Sequence, residues 1–388
     1  MAQASTADSP KAGVRVVLAG GGTTGHIAPM IATAEAIRRL VPDADLSCVG
    51  TTKGLETRLV PDAGLALELV APVPMPRKPT PDLLRVPARL AGSVREAGAI
   101  LDAHAAQVVV GFGGYASMPA YLAARRRGIP VVLHEANAVP GLANKVAARF
   151  AKKVLACFPG TPLPHVEQVG MPVRPALDEL AAVGRASRQR AAREALGLDV
   201  DRPTLLVTGG SQGARSINTA TMAARDEILA AGVQILHVWG PKNFTDDMTV
   251  ITDESSGGAY HPVPYVDGME NAYAAADLVV CRSGAATVYE AGLLGLPAIF
   301  VPLPHGNGEQ SRNATSLVAG GGGVLVADAD FDGARMSREV LDRITDADAL
   351  AAMAAVGPTL FTAGAAERVA RIVLDQAGAP MSGDDHVA

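Results

Sequence analysis

At about 150 residues per domain, a chain of 388 residues has room for two domains or three. Its 48% hydrophobic and 19% charged residues exclude a disordered chain, and Gly 41 and Pro 27 without a G-x-y period exclude a collagen-like one. The net charge of −5 divides unevenly: residues 1–175 carry 19 Lys and Arg against 12 Asp and Glu, and residues 176–388 carry 15 against 27. A large anionic partner would therefore meet the first half, although uneven surface charge gives the same figures.

The first predicted element is a buried strand, Val14–Ala19 (VRVVLA), which runs into Gly20-Gly21-Gly22. Ile27–Leu40 then carries Ala, Ile and Met at helical spacing. Short β-branched runs at Leu46–Val49, Val108–Val110, Val131–Leu133 and Lys153–Ala156 are bounded by Gly, Pro or polar residues. A parallel sheet covered on both faces requires such strands. Residues 175–202 form a charged, Ala-rich connection with little strand character.

The pattern restarts at Thr204–Thr208, followed by GGSQGAR and a helix from about Ser216. Further strands are expected at Val233–Trp239, Leu278–Cys281, Ala298–Val301 and Gly323–Val326. Two blocks of alternating strand and helix predict an α/β chain of two doubly wound, Rossmann-like domains, 14–175 and 203–360, facing a cleft. A last helical stretch, about Ala363–Gln376, is placed to return to the first domain, and Gly378–Ala388 is expected to be disordered.

Gly20–Gly25 matches G-x-G-x-x-G between a strand and a helix, and His26 follows in the first helical turn. Such a loop suits a pyrophosphate. A nicotinamide dinucleotide would also need an acid at the end of the second strand, where Val49-Gly50-Thr51 stands and Asp45 comes too early. His26 has a bland reading as a simple hydrogen bonder at the helix start. Gly111–Ser117 and Gly209–Arg215 are further glycine turns after strands. The latter adds a Ser hydroxyl and an Arg charge but lacks the Lys-Ser/Thr ending of a P-loop. Ser283–Glu290 opens another helix, and a carboxylate two turns in can accept two hydrogen bonds from a sugar diol.

No His/Cys cluster has metal-ligand spacing, and the Asp-x-Asp pairs at 43/45, 328/330 and 346/348 read as solvated turns. Cys48, Cys157 and Cys281 are too scattered for a disulfide framework and fit a reducing cytoplasm. No signal peptide is recognisable at the start, and no apolar run reaches the roughly 20 residues that span a bilayer. Cations gather at Arg77–Leu90, among Leu, Val and Met, and at Arg125-Arg126-Arg127. The first cluster suits an anionic membrane surface or an ordinary helix with snorkelling arginines; without aromatics it does not suit nucleic acid.

Seven segments together resemble one family: GGGTTGHIAP (20–29), GFGGYASMP (111–119), HEANAVPGLANK (134–145), VGMPVRP (169–175), GGSQGARSIN (209–218), CRSGAATVYE (281–290) and HGNGEQSRNA (305–314). They are similar, in order, to the motifs of GT-B-fold undecaprenyl-diphospho-muramoylpentapeptide β-N-acetylglucosaminyltransferases, from residue 14 to about 375. The resemblance implies an inverting transfer of N-acetylglucosamine (GlcNAc) from UDP-GlcNAc to the C4 hydroxyl of the muramoyl sugar of lipid I. The product would be lipid II of peptidoglycan. It implies no metal and no cofactor, no nucleic acid, and a peripheral place on the cytoplasmic side of the cell membrane.

Carried over by position, the resemblance makes His26 the general base. His134 is a weaker candidate for that role and is otherwise acceptor-binding with Gly113, Gly114, Tyr115 and Ser117. Thr23, Thr24 and Gly25 would lie near the donor sugar, with Asn137 and Gln310 on its hydroxyls. Arg174 and Ser211 would take the uridine diphosphate portion, the Val266 backbone the uracil, and Glu290 the ribose, while Ala285, Ala286 and Thr287 line the pocket. Thr24, Ala136 and Glu309 depart from residues common in the family. The rival readings are another UDP-sugar transferase, a non-hydrolysing 2-epimerase, a nucleotide-sugar-binding protein and a dinucleotide oxidoreductase.

Overall fold

The structure is a computed structural model that describes residues 13–73, 84–210, 212–305 and 308–379. Two compact units divide the chain. Unit 1 comprises Met1–His134, Leu142–Leu155 and Ala366–Ala388; unit 2 comprises Glu135–Gly141 and Ala156–Ala365. The division thus falls before residue 175, and the short piece 135–141 goes with the second unit.

The first sheet is formed by β1 (Arg15–Ala19), β2 (Asp45–Thr51), β3 (Ala66–Val70), β4 (Val108–Gly111), β5 (Val131–Glu135), β6 (Lys153–Ala156) and β7 (Val166–Gln168). Their order is β3-β2-β1-β4-β5-β6-β7, with the strands from β3 to β5 parallel. Val16, Val17 and Leu18 of β1 are fully buried, as a central strand covered on both faces demands. The strand order reverses beside β1, so the loops that leave β1 and β4 lie side by side at the switch point. The helix Ala365–Gln376 belongs to unit 1 almost entirely, and buries Val369, Ala370, Val373 and Leu374 at i, i+4 spacing.

Unit 2 repeats the plan with β8 (Thr204–Thr208), β9 (Gln234–Val238), β10 (Ile251–Thr252), β11 (Ala259–Val263), β12 (Leu278–Cys281), β13 (Ala298–Phe300) and β14 (Gly323–Leu325). The order is β10-β11-β9-β8-β12-β13-β14, all parallel except β10, which pairs antiparallel with β11. Side chains alternate between two cores. Leu205, Val207, Leu278, Val280 and Ile299 enter one, whereas Leu206, Val279, Cys281, Ala298 and Phe300 enter the other. Continuous apolar runs follow from that double burial, each Val, Leu or Ile contributing roughly 1.5–3 kcal/mol.

The connection 175–202 folds into two helices, Pro175–Val183 and Arg185–Ala195. Buried Arg193 pins the second by pairing with Asp277 at 2.7 Å, and Asp277 also accepts the Thr204 N–H that opens β8. The segment Ala347–Gln376 has the length and mean hydropathy, 1.5, of a membrane-crossing helix. It is in fact two helices of 14 and 12 residues, Ala347–Leu360 and Ala365–Gln376. Each is shorter than the roughly 20 residues needed to span a bilayer. Met75 to Leu83 of the basic cluster and the expected disorder of 380–388 lie outside the described residues.

Candidate functional site

In unit 1 the loop after β1 leads into the helix Thr24–Leu40, and the loop after β4 leads into Ser117–Arg127. The two loops pack closely. Gly114 has φ +85°, and a Cβ there would fall 2.4 Å from the Gly21 carbonyl oxygen, so only glycine fits. His26, half-buried in the first helical turn, has Nδ1 3.2 Å from the Gly21 oxygen and 3.4 Å from Thr23 Oγ1. A carbonyl oxygen only accepts, so this bond assigns the proton to Nδ1 and leaves a lone pair on Nε2. Nε2 lies against Gly113, where a Cβ would be 3.3 Å away. Beneath them Asn144 accepts from the Tyr121 hydroxyl at 2.8 Å and donates to the His134 carbonyl at 3.2 Å.

Thr23, Thr24 and Tyr115 are exposed on this surface, with Gly25 partly so. Two expected acceptor contacts are placed differently. The Ser117 hydroxyl is fully buried, 2.7 Å from the Gly113 carbonyl and 2.9 Å from that of Ala19, so it braces the two loops from inside. His134 is fully buried at the end of β5 with its ring 5.8 Å from that of Phe112, so its imidazole lies in the interior rather than on the loop surface. Part of the basic cluster is also committed, since Arg127 pairs with Asp102 at 2.6 Å and Arg125 lies over the Phe150 ring.

In unit 2 the loop after β8 opens the helix Arg215–Ala230, and the loop after β12 opens Ala285–Leu293. No side chain caps either N-terminus. The first-turn N–H groups of Ala285, Ala286 and Thr287 therefore have no side-chain cap, the arrangement that suits an anion. Ser211 lies outside the described residues. Asp328 is not the solvated turn expected from the sequence. It pairs with Arg282 and accepts from the Ser216 hydroxyl at 2.6 Å, while Arg282 also donates to the carbonyls of Val301 and Pro302. This network joins the ends of β12 and β13 to the start of the helix Arg215–Ala230.

Glu290 accepts from the Tyr273 hydroxyl at 2.9 Å. Burial drives its carboxyl up to about 7, against the lowering effects of the Tyr273 bond and the Arg174 charge; the Glu270 charge adds to the rise. Arg174 in turn pairs with Glu270 at 3.2 Å. Val266, Tyr273 and Ala285 belong to one apolar cluster. Asn137 is held on two sides: Glu135 accepts its backbone N–H at 2.9 Å, and the Asn313 amide lies 3.3 Å from its Oδ1. Asn313 also accepts from the Ala138 N–H and donates to the Ser283 carbonyl. Gln310 Oε1 accepts the Leu303 N–H at 2.9 Å.

Unit 2 thus gathers Arg174, Glu290 and their partners in one region, and unit 1 gathers His26, Gly113 and Gly114. Sequence reasoning missed Tyr273, Glu270, Asn313 and Glu135. The last two lie inside quoted motifs, whereas the first two carry no motif. Among the described residues no group of three or more His, Cys, Asp or Glu side chains is arranged to hold a metal ion.

The N-terminal domain model of glycosyltransferase family 28 matches residues 16–156, and its C-terminal domain model matches 204–369. The chain belongs to glycosyltransferase family 28. This family-28 chain is 59% identical to the UDP-N-acetylglucosamine--N-acetylmuramyl-(pentapeptide) pyrophosphoryl-undecaprenol N-acetylglucosamine transferase of Cutibacterium acnes, over 94% of its length and 98% of the relative's. The protein of the same name from a Nocardioides species is 54% identical over 93% and 98%. Among solved structures, Acinetobacter baumannii MurG superposes with a TM-score of 0.75 at 26% identity, covering 93% and 99% of the two chains. A UDP-N-acetylglucosamine 2-epimerase, TM-score 0.61 and 14% identical, shares the fold alone. The fold is GT-B, and the protein is a UDP-sugar glycosyltransferase.

Proposed function

We propose that this protein transfers GlcNAc from UDP-GlcNAc to the C4 hydroxyl of the muramoyl sugar of lipid I, with inversion, giving lipid II for peptidoglycan synthesis. The 59% identity to the Cutibacterium acnes transferase over nearly the whole of both chains carries this reading. In the Nδ1–H tautomer that the Gly21 contact selects, His26 Nε2 accepts the proton of the acceptor hydroxyl. That oxygen bonds to the anomeric carbon as the bond from this carbon to the UDP phosphate oxygen breaks. Negative charge then grows on the departing diphosphate. The uncapped N–H groups at Ala285–Thr287, with Arg174 and Ser211, stabilise it as fixed donors.

Glu290 accepts the ribose hydroxyls, the Val266 backbone reads the uracil, and Asn137 and Gln310 hold the GlcNAc hydroxyls. Thr23, Thr24 and Gly25 lie near the donor sugar, and Gly113, Gly114 and Tyr115 bear on the acceptor, with Ser117 and His134 supporting them from inside. Arg77–Leu90 attaches the enzyme to an anionic membrane on its cytoplasmic side. Leu84, 85% exposed, is the apolar contribution to that attachment within the described residues.

Transfer of radiolabel from UDP-GlcNAc to a lipid I analogue, in the presence of EDTA, tests the activity. Incorporation into the lipid is expected; donor binding without transfer would refute the acceptor. For His26→Ala we expect kcat to fall on the order of 100-fold or more with UDP-GlcNAc affinity retained. Equal losses of kcat and donor binding would refute the base.

A further inference from the structure

Glu56, which no motif marked, opens the short helix Glu56–Asp62 after β2 and is fully buried. Its Oε2 accepts the Gly22 N–H at 2.8 Å, while Oε1 accepts the Thr51 N–H at 3.0 Å and the Thr51 hydroxyl at 2.8 Å. Burial opposes the charge, but the bonds from Gly22 and Thr51 outweigh it and hold the carboxyl below its usual range. Glu56 is therefore an anion at neutral pH.

The Gly22 N–H belongs to the same peptide group as the Gly21 carbonyl that contacts His26. That peptide is trans, so its N–H and C=O point in opposite directions from one rigid plane. The carboxylate grips one side, and the imidazole Nδ1 rests on the other. A charge-assisted bond to the N–H fixes the plane and polarises the carbonyl, which strengthens it as an acceptor for Nδ1–H. The glycine loop is thus braced by the protein's own carboxylate, since Gly22 N–H, a natural phosphate donor, is already engaged.

We infer that Glu56 is a positioning residue of the transfer reaction: through the peptide between Gly21 and Gly22 it sets the tautomer and orientation of His26. The inference rests on the reading of His26 as base. It differs from a purely structural role because it fixes which imidazole nitrogen carries the proton.

The test uses the full chain with 15N-labelled histidine and two variants. Glu56→Gln keeps the size but loses the charge and one acceptor oxygen. Glu56→Asp keeps the charge but lacks the reach to hold Gly22 and Thr51 together. In the unsubstituted protein the His26 nitrogen signals should report the Nδ1–H tautomer. In whichever variant folds, with melting confirmed as cooperative, they should move to a mixture of tautomers. There kcat should fall on the order of tenfold or more, with the UDP-GlcNAc KM within about twofold. An unchanged His26 spectrum in a folded variant overturns the inference. A shifted spectrum with undiminished kcat upholds the positioning and overturns the assignment of His26 as base.

Discussion

Glu290, the residue proposed to hold the ribose, has an unfavourable resting state as an anion. Its carboxyl stands at about 7 against an ordinary 4.5, chiefly through burial. When a folded value lies above the unfolded one, the stability it confers is fully present below pH 4.5 and is lost as pH rises through 7. Thermal melts from pH 5 to 8 should show the unliganded protein losing stability relative to Glu290→Gln, by an amount on the order of 1–3 kcal/mol. The ribose hydroxyls donate, so the bound donor favours the carboxylate. The UDP-GlcNAc KM is therefore expected to rise as pH falls below 7, and this dependence should flatten in Glu290→Gln. A KM equally pH-dependent in both proteins would count against the ribose contact.

The same scale shows why the exposure of some candidate side chains was legible and that of others was not. His26 and Glu290 follow glycine turns at strand ends, where side chains meet ligands, so residue type and position agreed. Ser117 and His134 have the right chemistry in adjoining segments. Ser117 starts a helix whose first turn faces the strands, and His134 lies within a strand buried on both faces, which directs both inward. The bonds of Glu56 to Gly22 and of Tyr273 to Glu290 join residues distant in sequence, a relation that no local pattern encodes.

Among the elements, the strands with unbroken apolar runs were readable because both faces of each sheet are covered. Those that escaped are of another kind. β3 (ALELV) is largely solvent-facing, β7 has three residues and β10 two, and β11 contains Pro262, a residue that argues against a strand. Arg282 shows how loops between readable strands are fixed. Asp328→Ala would leave its guanidinium largely buried without its counter-charge, at a cost of about 3 kcal/mol or more. Denaturant unfolding should record that loss. In Ser216→Ala, which removes only a neutral partner, the loss should be nearer 1 kcal/mol.

For the whole molecule, the scattered cysteines correctly excluded a disulfide framework, and all three thiols are free and buried. Burial pushes Cys48 up to about 12 and also raises Cys157 and Cys281. A thiol reagent at neutral pH should label none of them in the native protein and all three after denaturation. Rapid labelling of the native chain would show that a core opens. Charge was a blunter guide, since several cations of the basic half are spent on Asp102, Phe150 and Glu270.

The return of the helix Ala365–Gln376 to unit 1 has a consequence for the order in which the protein matures on the ribosome. Translation delivers the N-terminal stretch of unit 1 first, yet the apolar face that Val369, Val373 and Leu374 cover stays bare until the final helix emerges. Unit 2, which ends at Ala365, has by then emerged in full. The usual sequence of co-translational folding, first domain first, is thus expected to invert here. Chains truncated just short of residue 365 and released from the ribosome should yield a protease-resistant core from unit 2 while unit 1 remains digestible, and the full chain should resist in both units.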